Sequence, residues 1–417
     1  MVMAKLLLVN PLSSQKFLSE QLKKYNIFTV ALFTKLHEEF SNYDAPNESY
    51  FDQQIYVKQA SSFDQIIANI PDMHFDFILN GTDESLSLTE MIIGRLKPEL
   101  ENSVELSSAR VDKFSMQEQF GVAGLPYIKQ IRIDSADANK LNEYKLWFPC
   151  IIKPVLGGGS VGVFLCNDKE ELSANIIAAN KLITAMSEPI DKYIIQEVIQ
   201  GQEIFVDTFS VNGIHYVSSV HTIHKETIGD SVACYRYEVL IDSKDIWDKS
   251  ANLVKAALDA CGFKNGFNHT ELFLLADDSF RIIEINPRIS GAKGMPNRLS
   301  QLQGLYTQVD LLVRYLKHKP LMDSSFDKVS GYAKLLYLYN FTDTNTCDIN
   351  LSLESKLKLE SEREIIMISV INSIPEKIKN LINVDAMVLL YDKNKKIVER
   401  DANLIFALEQ YGALFNL

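Results

Sequence analysis

The chain has 417 residues, a formal net charge of -12, and 47% hydrophobic against 23% charged residues. That length is too great for one compact core and predicts two or three domains, and the balanced composition excludes a disordered or fibrous protein. The acidic balance excludes broad electrostatic affinity for nucleic acid or anionic lipid; a local basic pocket for a phosphate-bearing ligand stays open.

The elements are read in chain order. "KLLLVNPLSSQKFLSEQLKKYNIFTVALF" predicts a buried strand, a turn, an amphipathic helix ending near Lys24, and a second strand from Ile27 to Phe33. Its first turn, "NPLSSQ", contains no glycine, which argues against a nicotinamide dinucleotide bound there. "FDFILNGTDESLSLTEMIIGRL" repeats the pattern: a strand to Leu79, a polar turn at Asn80 to Glu84, and a helix with Leu86, Leu88, Met91 and Ile92 on its apolar face. Residues 1–108 are expected to form a small parallel α/β domain. A second α/β unit is expected over 109–200, opening with "SARVDKFSM", and a strand-rich unit over 201–330. A C-terminal α+β block over 331–417 is expected to pack on the core, with strands "YAKLLYLY", "EIIMISVI" and "AMVLLYDK" before a helix from about Ala402 to Tyr411.

The cysteines Cys150, Cys166, Cys234, Cys261 and Cys347 are odd in number, widely spaced and form no CxxC pair. They are expected to be reduced thiols of a cytoplasmic protein, and zinc spacing is absent. The apolar run Leu6 to Val9 is far shorter than a signal-peptide core, and no later stretch approaches the ~20 apolar residues that span a membrane.

Three stretches carry chemistry. "FPCIIKPVLGGGSVGVFLC" places Lys153 near the end of an apolar strand, then Gly157, Gly158, Gly159 and Ser160, then a strand from Val161 to Cys166. A strand, glycine loop and strand lets backbone N-H groups approach phosphate oxygens, although a triple glycine by itself is equally a hairpin turn. It is not a Walker loop, because the G-K-[ST] ending is missing. "KYIIQEVIQGQEIFVD" ends a strand at Gln196 and Glu197, passes Val198, and turns at Gly201 into a strand carrying Glu203. Such a hinge can offer backbone groups to a purine edge and an acid to ribose hydroxyls.

"GFNHTELFLLADDSFRIIEINPRISG" carries Glu271 on one strand and Glu284, Asn286 and Arg288 on the face of the returning strand opposite Ile283, Ile285 and Pro287. In a hairpin of this length Glu271 falls across from Glu284 and Asn286. Two carboxylates about 4 Å apart repel by roughly 4 kcal/mol at an effective dielectric of 20, a cost that a divalent cation removes. An all-oxygen set favours Mg2+ or Mn2+ over zinc. The alternative is a solvent-facing polar strand laced with ion pairs.

Together, the E-x-N-P-R row with its upstream glutamate, the K-P-x-x-G-G-G-S-x-G-V segment and the "ARVDKFSM" helix resemble the ATP-grasp superfamily, in its order and usual separations. "SVGV", "HTE" and "NPRISG" resemble its carboxylate-amine ligases, such as the L-amino-acid and D-alanine ligases. The resemblance implies a mixed α/β (α+β) ATP-grasp fold with a Rossmann-like pre-ATP-grasp domain and a C-terminal α+β extension. It implies that Lys113 and Lys153 hold ATP phosphates, that Gly157, Gly158, Gly159 and Ser160 form a mobile lid, that Glu197 and Val198 meet adenine and that Glu203 meets ribose. Glu271, Glu284 and Asn286 would bind two Mg2+ ions, and Arg288 would contact the substrate carboxylate or acyl-phosphate. In the loop "HTIHKETIGDSVACYRYEVL", His221, His224 and Lys225 are candidates for phosphate or an acceptor amine, and Arg236 for a second carboxylate. "GAKGMPNRL" adds Gly291, Asn297 and Arg298 as substrate contacts.

The function so implied is an ADP-forming ligase that joins a small carboxylate to an amine through an acyl-phosphate, with no nucleic-acid or membrane partner, and a homodimer is the commonest assembly. Two alternatives stand beside it: a biotin-dependent carboxylase subunit and a catalytically silent ATP-binding module.

Overall fold

The computed structural model describes residues 3–12, 14–34, 47, 49–58, 61–135, 140–157, 162–182, 191–226, 234–339, 358–367 and 384–414. The N-terminal part contains β1 (Lys5–Val9), α1 (Gln15–Lys24), β2 (Phe28–Phe33), β3 (Gln53–Tyr56), α2 (Phe63–Asn69), β4 (Phe77–Asn80) and α3 (Leu86–Leu96). Its four strands form a parallel sheet in the order β3-β2-β1-β4, with Leu7 opposite Val30 and Ile78. Parallel strands covered on both faces need continuous apolar runs, and Leu6 to Val9 are all buried. In α3 the buried face is Leu86, Thr89, Ile92 and Ile93, whereas Met91, expected on that face, is 53% exposed. Thr89 turns inward because its hydroxyl donates to Asn80 Oδ1 and to the Ser85 carbonyl.

Two short helices follow, α4 (Ser107–Val111) and α5 (Lys113–Val122), where the sequence suggested one. Asp112 breaks them apart and caps α5 by accepting from the Ser115 N-H, which sets Lys113 at the start of α5. Next come β5 (Gln130–Asp134), β6 (Cys150–Pro154), β7 (Phe164–Cys166), α6 (Lys169–Ala179) and β8 (Lys192–Glu197). They make an antiparallel sheet in the order β5-β8-β6-β7 over a core that includes Ile152, Leu172, Ile176 and Ile195.

The third sheet is the largest. Its elements are β9 (Gln202–Val211), β10 (Ile214–Glu226), β11 (Cys234–Leu240), α7 (Lys244–Ala260), β12 (Gly266–Leu274), β13 (Phe280–Asn286), α8 (Met295–Leu302), α9 (Gln308–Leu316), β14 (Tyr332–Leu338), β15 (Glu362–Met367), β16 (Ala386–Asp392) and α10 (Lys395–Gln410). Eight strands run in the order β13-β12-β9-β10-β11-β14-β16-β15. The strands after residue 331 therefore extend this sheet edge to edge, through Tyr237 opposite Leu336 and Glu238 opposite Leu335. Residues 201–330 also hold three helices that a strand-rich reading passes over. The longest, α7, is capped by Ser243 and buries Ile246, Trp247, Ser250, Val254, Ala257 and Leu258 at helical spacing. Helix α10 begins at Lys395, well before Ala402, because the Asn394 side chain caps it by accepting from the Lys396 N-H.

Among the bonds that dock the N-terminal domain on the elements around the third sheet, Ser14 Oγ donates to the Ser290 carbonyl at 2.7 Å and Asn80 Nδ2 to the Pro287 carbonyl at 2.9 Å. Cys150, Cys166, Cys234 and Cys261 are buried and form no disulfide among the described residues, and Cys347 lies outside them. Among the described residues no helix is long and apolar enough to cross a membrane.

Candidate active site

The β12–β13 hairpin sets the geometry. Its register pairs His269 with Asn286, Thr270 with Ile285 and Glu271 with Glu284, so the two acids face each other across the strands. Past that point Leu272 pairs with Ile282, which leaves Ile283 as the extra residue of a bulge. Simple alternation assigns Ile283 and Ile285 to the inner face; the bulge instead buries Ile282 and Ile285 and leaves Ile283 partly exposed. Asn286 Nδ2 lies 3.4 Å from Glu271 Oε1.

Two lysines converge on these acids from other elements. Lys113 Nζ lies 3.1 Å from Glu284 Oε2 and also donates to the Gly157 carbonyl. Gly157 has φ 100°, a conformation that L side chains rarely adopt. Lys153, on β6, is 8% exposed and sits in the field of Glu284, Glu271 and Glu203. Burial, reinforced by the Lys113 charge, pushes the Lys153 amine below the usual lysine range. Burial opposes the charge of Lys113 too, but Glu284 and Asp83 outweigh it and hold that amine above the usual range.

The carboxylates divide in the same way. Burial and the charge of Glu284 push the Glu271 carboxyl up to about 7. Burial acts on Glu284 as well, yet Lys113 and Lys153 more than offset it and keep that carboxyl below its ordinary value. Two acids and one amide oxygen suit a hard divalent cation, which would relieve the charge of Glu284 on the buried Glu271 carboxyl. Among the described residues no three His, Cys, Asp or Glu side chains group to hold a metal by themselves. A partial shell of this kind fits Mg2+, which completes its coordination with phosphate oxygens and water.

A cavity of about 390 Å³ opens beside this cluster, lined by residues that include Asp83, Lys113, Arg132, Gly157, Lys192 and Asn286. Arg288 is held at its edge: Nε donates to Asp83 Oδ2 at 2.9 Å and Nη1 to the Ile289 carbonyl at 3.1 Å. Asp83 belongs to the polar turn after β4, and the sequence reading assigned it nothing. The available signal was its place beyond the C-terminal end of a parallel strand, where open α/β sheets build their crevices.

The other sequence candidates separate into two groups. Glu197 ends β8, where its N-H donates to the Lys129 carbonyl and its Oε1 accepts from the Lys129 N-H; Val198 follows in the turn before β9. Glu203 Oε1 is 2.5 Å from Lys225 Nζ, while Glu203 Oε2 is buried without a partner among the described residues. Gly291 stands beside Arg288, with only Arg288 Nη1 near the position a Cβ would take. Gly158, Gly159 and Ser160 lie outside the described residues.

The second group is engaged elsewhere. His221 binds Glu238 through Nδ1 and Ser300 Oγ through Nε2 at 2.9 Å, in a buried network that Tyr337 completes. His224 stacks on Tyr237 at 4.1 Å, and burial with the nearby Lys334 charge keeps its imidazole below the usual range. Arg236, expected to meet a substrate carboxylate, spends its fork on Glu409 of α10 at 2.6 and 3.0 Å. Asn297 donates to Ser290 Oγ at 2.7 Å and accepts from the Gln308 N-H at 3.0 Å, which orders the loop after β13. Arg298 pairs with Glu364. Sequence reasoning also passed over Asp207, whose carboxylate holds His269 Nδ1 at 2.7 Å.

Residues 146–296 match the ATP-grasp domain family. The chain is 23% identical to dapdiamide A synthase of Enterobacter agglomerans over 68% of its own length and 67% of that protein. It is 22% identical to alanine–anticapsin ligase of Bacillus subtilis strain 168 over 76% and 71%. Among solved structures it resembles an L-amino acid ligase from Bacillus licheniformis with a TM-score of 0.71 at 16% identity, covering 96% of both chains. It also resembles N5-carboxyaminoimidazole ribonucleotide synthetase from Thermotoga maritima, with a TM-score of 0.67 at 14% identity over 97% and 98%. The hairpin acids and Lys153 fall inside the stretch that matches the ATP-grasp domain, and the fold is that of the ATP-grasp proteins. The relatives named above are ligases and synthases, and they support an ADP-forming ligase that makes a carbon–nitrogen bond.

Proposed function

We propose that this chain is an amino-acid or dipeptide-type ligase that uses MgATP to activate a small carboxylate and join it to an amine. The observation that carries the reading is the pairing of Glu271 with Glu284 across one hairpin, with Asn286 beside them and Lys113 and Lys153 converging from other elements. Glu271, Glu284 and Asn286 would hold the divalent ions, which neutralise the terminal phosphates and polarise the phosphoryl group. Lys113 and Lys153 carry positive charge to the same phosphates. Arg288, oriented by Asp83, directs the substrate carboxylate toward them.

In the first step a carboxylate oxygen bonds to the γ-phosphorus and the bond to the β-phosphate bridge breaks, releasing ADP. In the second, the amine nitrogen attacks the acyl carbon, inorganic phosphate leaves, and the amine loses a proton. Phosphoryl transfer requires no nucleophilic side chain, so positioning and charge neutralisation supply the acceleration. The curated relatives are named as synthases and ligases, which favours this reading over a biotin-dependent carboxylase. The complete set Lys153, Glu271, Glu284, Asn286 and Arg288 favours it over a silent nucleotide-binding module. A phosphate-release screen over pairs of amino acids, followed by mass spectrometry of the products, tests the proposal. ADP release that needs both partners supports it; release that depends on bicarbonate and biotin, or tight nucleotide binding without turnover on any pair, overturns it.

A further inference from the structure

Tyr235 lies on β11 directly opposite Lys225 of β10. Its ring is fixed on several sides. Lys225 Nζ sits 4.8 Å from the ring centroid, the Phe205 ring packs at 6.3 Å, and the Tyr337 ring meets it edge-on at 5.6 Å. The neighbouring tyrosines use their hydroxyls inside the protein: Tyr337 donates to Glu238 Oε2 and Tyr339 to the Tyr235 carbonyl. The Tyr235 hydroxyl has no hydrogen-bond partner among the described residues, and it is not one of the sealed polar atoms of the core.

The surroundings narrow what that hydroxyl can serve. Burial and the charges of Glu271, Glu203, Glu238 and Glu284 raise the phenol well above its usual range, so at neutral pH it is a neutral donor. Phe205, against which the ring packs, lies opposite Glu271 in the β9–β12 register, so a fixed donor with no acceptor among the described residues stands beside the hairpin acids. The nearby cation, Lys225, is already paired with Glu203, which leaves the acceptor's charge to be met by Lys113, Lys153 and the divalent ions. Phosphoryl oxygens are the anionic acceptors that the Glu271 and Glu284 side of this face is built to receive.

We propose that the Tyr235 hydroxyl donates a hydrogen bond to an oxygen of the phosphoryl group in transit, which makes Tyr235 a catalytic residue. This rests on the ligase reading above. A neutral donor adds little to the binding of a nucleotide already neutralised by lysines and metal, and it contributes most where charge spreads over the transferring group. No bond to Tyr235 forms or breaks, and its proton stays on the phenol.

The test compares the intact protein with Tyr235→Phe, which keeps every ring contact and removes one oxygen. Turnover is read as ADP release and hydroxamate formation with a mixture of proteinogenic amino acids as the carboxylate and hydroxylamine as the amine. Ground-state binding is read as the Kd of magnesium and a non-hydrolysable ATP analogue, and folding as Tm. The expected result is a fall in kcat on the order of 100-fold, the scale of one lost preorganised donor, with Kd and Tm unchanged. Unchanged turnover overturns the proposal, as does a fall in turnover matched by equal losses in Kd or Tm. Failure of the ligase reading shows in the unsubstituted protein, as no carboxylate-dependent ADP release, and removes the proposal with it.

Discussion

Arg288 and Asp83 are 205 positions apart in sequence, yet Arg288 Nε donates to Asp83 Oδ2 at 2.9 Å. The contact ties the strand of Glu284 and Asn286 to the turn that opens α3, so the N-terminal domain orients the cation expected to meet the substrate carboxylate. Asp83→Ala should leave nucleotide affinity intact and raise KM for the carboxylate about tenfold, the range of one charge-assisted hydrogen bond. Steady-state kinetics at saturating ATP, with the nucleotide Kd measured in parallel, check this; an unchanged carboxylate KM would show that Arg288 is oriented without Asp83.

Glu284 pairs with Lys113 and faces Glu271, so its loss removes a proposed metal ligand and a lysine partner together. Glu284→Gln preserves the shape of the side chain, and the fold should survive. Turnover should fall by at least ~100-fold, the cost of losing one preorganised transition-state contact. Near-normal ADP release in a variant with native circular dichroism would remove Glu284 from the reaction.

Glu271 makes a prediction in pH. Its carboxyl is raised from 4.5 to about 7, so the ligand-free fold favours its protonated form. That stabilisation is complete below the unfolded value and is lost as pH rises through about 7. Glu271→Gln imitates the protonated state and should make the ligand-free protein more stable at pH 8 by roughly 1–3 kcal/mol, while abolishing turnover. Urea unfolding at pH 5 and pH 8 measures it: equal stabilisation at both values would mean that the Glu271 charge is not the cause.

The Arg236 and Glu409 pair is a structural counterpart to these site residues. Burial works against both charges; the two-pronged contact outweighs it for Arg236, while burial still holds the Glu409 carboxyl above its ordinary range, and Arg236 also lies over the Phe406 ring at 4.3 Å. Glu409→Ala strands a buried guanidinium and should cost about 3–5 kcal/mol of stability. The pair anchors α10, so enzyme that remains folded is expected to keep its KM values; a changed carboxylate KM at constant stability would return Arg236 to the site.

The face shared by Glu271, Glu284 and Asn286 was legible in the residues themselves. Strand periodicity and hairpin length are local properties, and they bring the acids opposite each other whatever the remaining chain does. The βαβ opening made by β1, α1 and β2 is local in the same sense. Local reasoning failed where a single polar contact decided the outcome: Thr89 displaced Met91 from the buried face of α3, and Asp112 cut one expected helix into two.

What only the tertiary structure decided depends on partners distant in the chain. Arg236 and Arg288 are chemically alike and both looked fit for a carboxylate, but one is enclosed by Glu409 from 173 positions away and the other is held at the cavity edge by Asp83. His221 and His224 are engaged by Glu238, Ser300 and Tyr237, while Tyr235, unremarked in the sequence, has a hydroxyl with no partner among the described residues. A charged or hydroxylated side chain carries its chemistry in its own atoms. Whether that chemistry is free for a ligand depends on desolvation and on which groups the packing of domains brings within about 3 Å, and no local pattern encodes that neighbour.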